Sequence, residues 1–156
     1  MTPRPPALEF AFEAKVECAA PEAIGDGSRG PLSFVPITGG VVEGPLLNGT
    51  VVPGGGDWAV ERDERVTDVN ARYLIRADDG ALIDITNRGH FVADPAVARR
   101  AEAREPVDPG EYYFRTSPEF RTDAAEHAWL TRTVFVGEAR DEAETGRICI
   151  RFFAVR

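Results

Sequence analysis

The segment Pro53-Gly54-Gly55-Gly56-Asp57-Trp58 has the residue types that most readily suggest chemistry. Consecutive glycines let a backbone adopt conformations closed to other residues and approach a neighbour closely. A phosphate-cradling loop would need Gly-Lys-Ser/Thr or a helix N-terminus next, and neither follows here. The run instead predicts a wide turn at the rim of a β-structure, with Asp57 and Trp58 over an opening. In that place Asp57 either caps the turn through its own backbone or stands as a catalytic carboxylate. Trp58 would then be the apolar wall beside it.

A second candidate set lies on the run Val66 to Ile75. Residues two apart in a strand share a face, so Val69, Ala71, Tyr73 and Ile75 form one face and Asp68, Asn70, Arg72 and Leu74 the other. The polar face turns outward in a barrel wetted on its outside, and inward in a barrel that holds a polar ligand. Inward, Arg72 would hold an anionic or enolising oxygen as the second catalytic residue, with Asn70 beside it as a ligand contact. The bland alternative for Arg72 is a surface salt bridge with Asp84 on the return strand, worth under ~1 kcal/mol. Tyr112, Tyr113, Phe114 and Arg115 make an aromatic cluster with one cation, and Trp129 and Thr131 share a face further on. Aromatic walls with a few polar groups build small-molecule pockets, and they build barrel cores equally well. The ligand-binding candidates are therefore Trp58, Asn70, Tyr113, Trp129 and Thr131. His90 and His127 read as solvated histidines, and no Gly-x-Ser-x-Gly elbow accompanies them.

The elements that must position these residues are mostly strands. Leu8, Phe10 and Phe12 alternate with Glu9, Ala11 and Glu13, the period-two mark of a half-buried strand. Further strands are expected at Ser33 to Thr38, ended by Gly39–Gly40, and at Leu46 to Val52, ended by Pro53 and the glycines. Val66 to Ile75 and Ala81 to Asn87 flank Asp78-Asp79-Gly80, a strong hairpin turn. Glu111 to Thr116, Trp129 to Glu138 and Arg147 to Val155 complete about eight strands. Asp94 as N-cap and Pro95 at the first helical position open the single helix expected, Pro95 to Glu105. The fold class expected is all-β, a single closed antiparallel barrel over residues 1–156 with Met1 to Pro6 as a flexible tail. Closure removes sheet edges, and an eight-stranded barrel is filled by side chains or holds one small ligand.

Bulk composition narrows the partners. The 156 residues are 43% hydrophobic and 28% charged, ordinary globular values, with a net charge of −8. That balance disfavours nucleic acid and anionic membrane surfaces, which want clustered Lys and Arg. Lys15 is the only lysine, so the cations are nearly all Arg. Cys18 and Cys149 read as reduced thiols of a cytoplasmic protein, and no apolar run approaches the ~20 residues that span a bilayer. Two cysteines and two histidines at scattered spacing make a poor metal set. No metal and no cofactor is expected.

Gly44-Pro45, Leu47-Asn48-Gly49-Thr50, Gly55-x-Asp57-Trp58, Ala71-Arg72-Tyr73, Asp78-Asp79-Gly80, Tyr113-Phe114-Arg115 and Trp129-Leu130 occur in that order. Together they resemble domain-of-unknown-function family 3237, also called uncharacterised protein family 0311, of bacteria and fungi. The resemblance runs from about Leu8 to Val155. It implies a compact β-barrel with a central pocket and no settled general activity, and it turns the Asn70–Arg72 face toward that pocket. The family pattern usually has Asp where this chain has Asn70, and Asn where it has Thr131. An amide neither gains nor loses a proton near neutral pH, so proton transfer here would fall to Asp57.

The function expected is small-molecule binding by the barrel, with cofactor-free isomerisation, cyclisation or lyase chemistry on a partly apolar carbonyl or carboxylate compound. The alternative is a non-catalytic binding protein for a hydrophobic small molecule. The partner is the small molecule, and a homodimer is left open. Asp57, Trp58, Arg72 and Trp129 are expected to converge on one cavity.

Overall fold

Alternating apolar and polar residues become nine strands in a computed structural model that describes residues 2–156. They are β1 (Leu8–Cys18), β2 (Glu22–Gly27), β3 (Gly30–Glu43), β4 (Gly49–Glu61), β5 (Val66–Ala77), β6 (Leu82–Ala93), β7 (Tyr112–Arg121), β8 (Phe135–Glu142) and β9 (Arg147–Val155). The order β1-β9-β8-β7-β6-β5-β4-β3 is antiparallel throughout, and β1 pairs β3 to close an eight-stranded barrel. The extra strand, β2, pairs only the first half of β3, so the two form an arm beside the barrel. Of the expected tail, Met1 lies outside the described residues, and Thr2 to Pro6 are exposed and without regular structure.

One inward row per strand fills the barrel. Phe12, Phe120, Phe135 and Phe152 pack edge-on and tilted at 5.0–6.0 Å between ring centroids. Ile75, Ile83 and Ile85 complete this layer and are fully buried. Burying such side chains is the main stabilising term, about 1.5–3 kcal/mol each.

Three local expectations change in the fold. The glycine run does not end β4: the strand continues through it, with a bulge between Val52 and Gly56. A Cβ on Gly55 would lie 2.6 Å from the Tyr73 Cβ, and one on Gly56 would lie 2.0 Å from the Phe34 ring. Close approach to β5 and to Phe34, rather than a rim turn, is what requires glycine there. Gly39 and Gly40, both at positive φ, likewise carry β3 through a register shift instead of ending it. Trp129–Arg132 belong to a 3-10 helix, Ala125–Arg132, and β8 begins only at Phe135. The Thr131 Oγ1 donates to the Ala128 carbonyl at 2.8 Å and the Thr133 Oγ1 to that of Trp129 at 2.8 Å, which ties the turn locally. Leu130 from this turn plugs the barrel end.

The helix α1 (Pro95–Glu102) starts where expected and stops earlier than Glu105. Asp94 occupies the N-cap position without a side-chain cap bond, because its carboxylate is taken by the Arg65 guanidinium.

Candidate functional site

The hairpin β5–β6 pairs in unbroken register from Val66↔Val92 to Arg76↔Leu82. Tyr73, Ile75 and Ala77 are buried inside the barrel, so the alternate row, Asp68, Asn70, Arg72 and Leu74, faces out. The inward orientation expected for Asn70 and Arg72 is corrected on this point. The row of Tyr73, Ile75 and Ala77 supplies more apolar area to bury, and a two-residue period lets only one row face the core.

Outward rows run across several strands. Asp57↔Ala71 and Val60↔Asp68 set β4 on β5, so Trp58 lies opposite Asn70. Asn70 lies opposite Arg88, and Arg88 opposite Ser117. One row up, Asp68 lies opposite His90, His90 opposite Arg115, and Arg115 opposite Glu138. These two rows floor an open groove of about 1350 Å³ on the outside of the barrel. The tip of the β2–β3 arm, Ser28 and Arg29, lines one side, and Tyr113 and Val136 lie toward the other.

The groove has aromatic walls and a polar floor. Trp58 packs on Phe34 with ring centroids 4.9 Å apart and stays 44% exposed. Tyr113 is exposed, with the Arg115 guanidinium 5.5 Å above its ring. His90 Nδ1 sits 2.7 Å from Asp68 Oδ1. The Arg62 Nε donates to Asp68 Oδ2 at 3.1 Å. That hydrogen bond and charge hold the Asp68 carboxyl below its ordinary value. In a neutral imidazole with Nδ1–H donated to the Asp68 carboxylate, Nε2 would hold the free lone pair. The Arg88 Nε donates to Asn70 Oδ1 at 3.2 Å, which fixes the amide with its NH2 group still available.

The structure brings Trp58, Asn70 and Tyr113 together in this groove and leaves the other expected residues elsewhere. Arg72 faces out beyond the β4 bulge, where its Nε donates to Asp84 Oδ1 at 3.2 Å and Arg121 shares the same carboxylate. The surface salt-bridge reading of Arg72 holds. Trp129 packs on Phe135 at 5.8 Å in the turn that plugs the barrel, and Thr131 stands in the same turn. That turn follows the β7 end that pairs Asp84, the opposite end of these strands from His90. The expected convergence of Asp57, Trp58, Arg72 and Trp129 is therefore corrected: the two-residue period of β4 puts the adjacent Asp57 and Trp58 on opposite faces, and Trp129 belongs to the far end.

Asp57 lies on the inward row between Val35 and Ala71, mostly buried. Its Oδ1 accepts the Asn70 backbone N–H at 2.7 Å. Burial pushes its carboxyl up to about 6, with the Asn70 bond opposing. Its nearest link to the groove is that bond through the wall to Asn70. Cys18 is half-buried, and burial with the charges of Asp57 and Asp141 pushes its thiol up to about 11. Tyr73 Oη, Asn87 Oδ1 and Thr116 Oγ1 are buried without hydrogen-bond partners. All three stand on inward rows. Among the described residues no group of three or more His, Cys, Asp or Glu side chains is placed to hold a metal ion.

Sequence reasoning missed Asp68, His90, Arg88 and Arg115 as one constellation. A signal was present, because equal steps either side of Asp79 in the hairpin turn give Asp68 opposite His90 and Asn70 opposite Arg88. The pairing of Arg115 with His90 joins β6 to β7 across the helix and had no local signal.

Fold and site define a closed antiparallel β-barrel with a charged, aromatic groove on its outer wall. A family model described as a protein of unknown function, DUF3237, matches residues 6–155, and the chain belongs to that family. A UPF0311 protein of Rhodopseudomonas palustris is 33% identical over 141 residues, covering 89% of this chain and 92% of that one. A crystal structure of a conserved protein of unknown function from the same species matches with a TM-score of 0.91 at 31% identity over the full length of both chains. A hydroalkoxylation enzyme of Penicillium herquei is 36% identical over 85 residues, 54% of this chain and 56% of its own. A crystal structure of an enzyme from that fungus shares the fold, with a TM-score of 0.74 at 22% identity over 100% of this chain and 98% of that one. No helix among the described residues is long and apolar enough to cross a membrane.

Proposed function

We propose that this protein is a cofactor-free enzyme that binds a small, partly apolar carbonyl- or carboxylate-bearing molecule in the outer groove and moves a proton there. The observation that carries the reading is the His90–Asp68 pair, 2.7 Å apart, in a groove that Trp58 and Tyr113 also line. A histidine whose Nδ1–H is held by a carboxylate presents Nε2 as a general base, and once protonated as a general acid. Trp58 and Tyr113 supply flat apolar contact, and the Asn70 amide supplies hydrogen bonds without titrating. Asp57 acts as a positioning residue, bonded behind the wall to the Asn70 backbone.

The reaction class is isomerisation, cyclisation or addition–elimination. The hydroalkoxylation enzyme among the relatives suggests one member, the addition of an O–H across a carbon–carbon double bond. In such a ring closure Nε2 takes the hydroxyl proton as the C–O bond forms, and the imidazolium returns a proton to the adjacent carbon. Imidazole is regenerated, and no electrons leave the substrate.

A panel of aryl ketones carrying a pendant hydroxyl and an alkene, assayed by liquid chromatography and mass spectrometry, tests this. His90→Gln should lower turnover by on the order of 10²-fold or more, the usual worth of a positioned base, and leave tryptophan-fluorescence binding curves within about twofold. Unimpaired turnover in His90→Gln would defeat the proton-transfer role. Binding across the panel with no turnover by the unmodified protein would replace the enzyme with a non-catalytic binding protein.

A further inference from the structure

The geometry points to an aromatic anion, a carboxylate or phenolate fused to a flat ring system, as the substrate class of the outer groove. This class rests on the proposed location of the site and does not depend on turnover.

The chain as a whole is acidic, with a net charge of −8. The groove reverses that balance: Arg29, Arg62, Arg88 and Arg115 line it, with Asp68 as the one carboxylate among its lining residues. Asp68 is already committed to Arg62 and His90. Arg88 donates to a neutral amide, and Arg115 to the Phe114 carbonyl at 3.1 Å. Neither makes a salt bridge among the described residues, although Glu138 lies directly across the ladder from Arg115. Elsewhere on the barrel some exposed arginines are paired, Arg72 and Arg121 sharing Asp84, Arg104 holding Asp141 and Arg156 holding Glu9, whereas Arg76 on β5 and Arg132 in the 3-10 turn stand without a salt bridge among the described residues. What sets the groove apart is that two unpaired guanidinium groups, Arg88 and Arg115, line one cavity together with the exposed Trp58 and Tyr113.

Arg88 and Arg115 stand on adjacent strands, β6 and β7, on the same face and two residues apart along the ladder. Guanidinium N–H groups match a carboxylate or phenolate oxygen. The anion's ring would lie toward Trp58 on one side and Tyr113 on the other, since both line the same groove. A simple inorganic anion would use the arginines and leave the two exposed aromatic faces idle. A neutral aromatic would do the reverse.

Isothermal titration with 2-naphthoate and its neutral isostere 2-naphthamide tests the class. The unmodified protein should bind naphthoate about tenfold tighter than naphthamide, and rising sodium chloride should erode only the naphthoate affinity. Arg88→Gln and Arg115→Gln should each bring naphthoate down toward the naphthamide level and leave naphthamide unchanged. Arg88→Lys should keep most of the preference, and Arg121→Gln, outside the groove, all of it. Circular dichroism and melting confirm that each variant is folded before its titration is read. Equal affinity for the two probes, or equal weakening of both by the arginine variants, would overturn the anion requirement. Acetate or inorganic phosphate binding as tightly as naphthoate would overturn the aromatic one. If His90→Gln keeps turnover while the naphthoate preference holds, the proton-transfer reading falls and the substrate class stands. The reverse pattern removes only the substrate class.

Discussion

Replacing Asp57 with Asn should stabilise the protein, and should do so only where the carboxyl is ionised. Asp57 stands on the inward row, mostly buried, with the Asn70 N–H as its hydrogen-bond partner. Its carboxyl moves from an ordinary 3.8 up to about 6, and burial is the larger cause. A tenfold change in proton affinity corresponds to about 1.4 kcal/mol between the two protonation states. Holding the proton roughly a hundredfold more tightly when folded therefore costs the charged form about 3 kcal/mol, an upper figure because some solvent contact remains. Between pH 3.8 and about 6 the folded chain holds this proton more tightly than the unfolded chain does, so stability falls as pH rises through that window. Below it the group is neutral in both states and costs nothing. Above it the full cost persists. Asn is isosteric, carries no charge, and can still accept the Asn70 N–H. Its own NH2 group needs a partner, which costs roughly 1 kcal/mol if none is found. Asp57→Asn should gain about 1–3 kcal/mol at pH 7.5 and little at pH 4.5. Urea unfolding followed by tryptophan fluorescence at several pH values measures the difference between variant and parent, so carboxylates common to both cancel. A difference that is flat with pH, or that shrinks toward neutral pH, would refute the cost of burying this carboxylate.

Arg72→Leu should cost under about 1 kcal/mol, because Arg121 keeps Asp84 paired, and should leave naphthoate titrations unchanged; a loss of binding would restore Arg72 to the site. Gly56→Ala should cost about 1–3 kcal/mol through overpacking against the Phe34 ring, read as a lower urea midpoint, and a neutral outcome would deny the close approach. Trp129→Ala should lower stability by about 2–4 kcal/mol, a little under the ~3–5 kcal/mol of a buried aromatic because Trp129 is only partly buried, while groove affinity measured well below the new melting temperature stays the same. Weakened affinity with unchanged melting would tie Trp129 to the ligand instead of the plug.

The sequence by itself determined the all-β class, the hairpin turn at Asp78-Asp79-Gly80 and the helix start at Pro95, because each is written in local periodicity or turn chemistry. It also showed that Asp68, Asn70 and Arg72 share a face, since a strand has a strict two-residue period. Which face turns inward was decided only by closure of the barrel, where Tyr73, Ile75 and Ala77 compete for the interior and win by apolar area. The glycine run before Asp57 looked like an end and is a bulge, because what it accommodates, the Phe34 ring and the β5 backbone, comes from distant parts of the chain. His90 has an ordinary loop-like context in sequence, and acquires Asp68 from its hairpin partner and Arg115 from β7. The groove exists only once those strands lie side by side, because its walls and charges come from separate strands whose register no local pattern encodes.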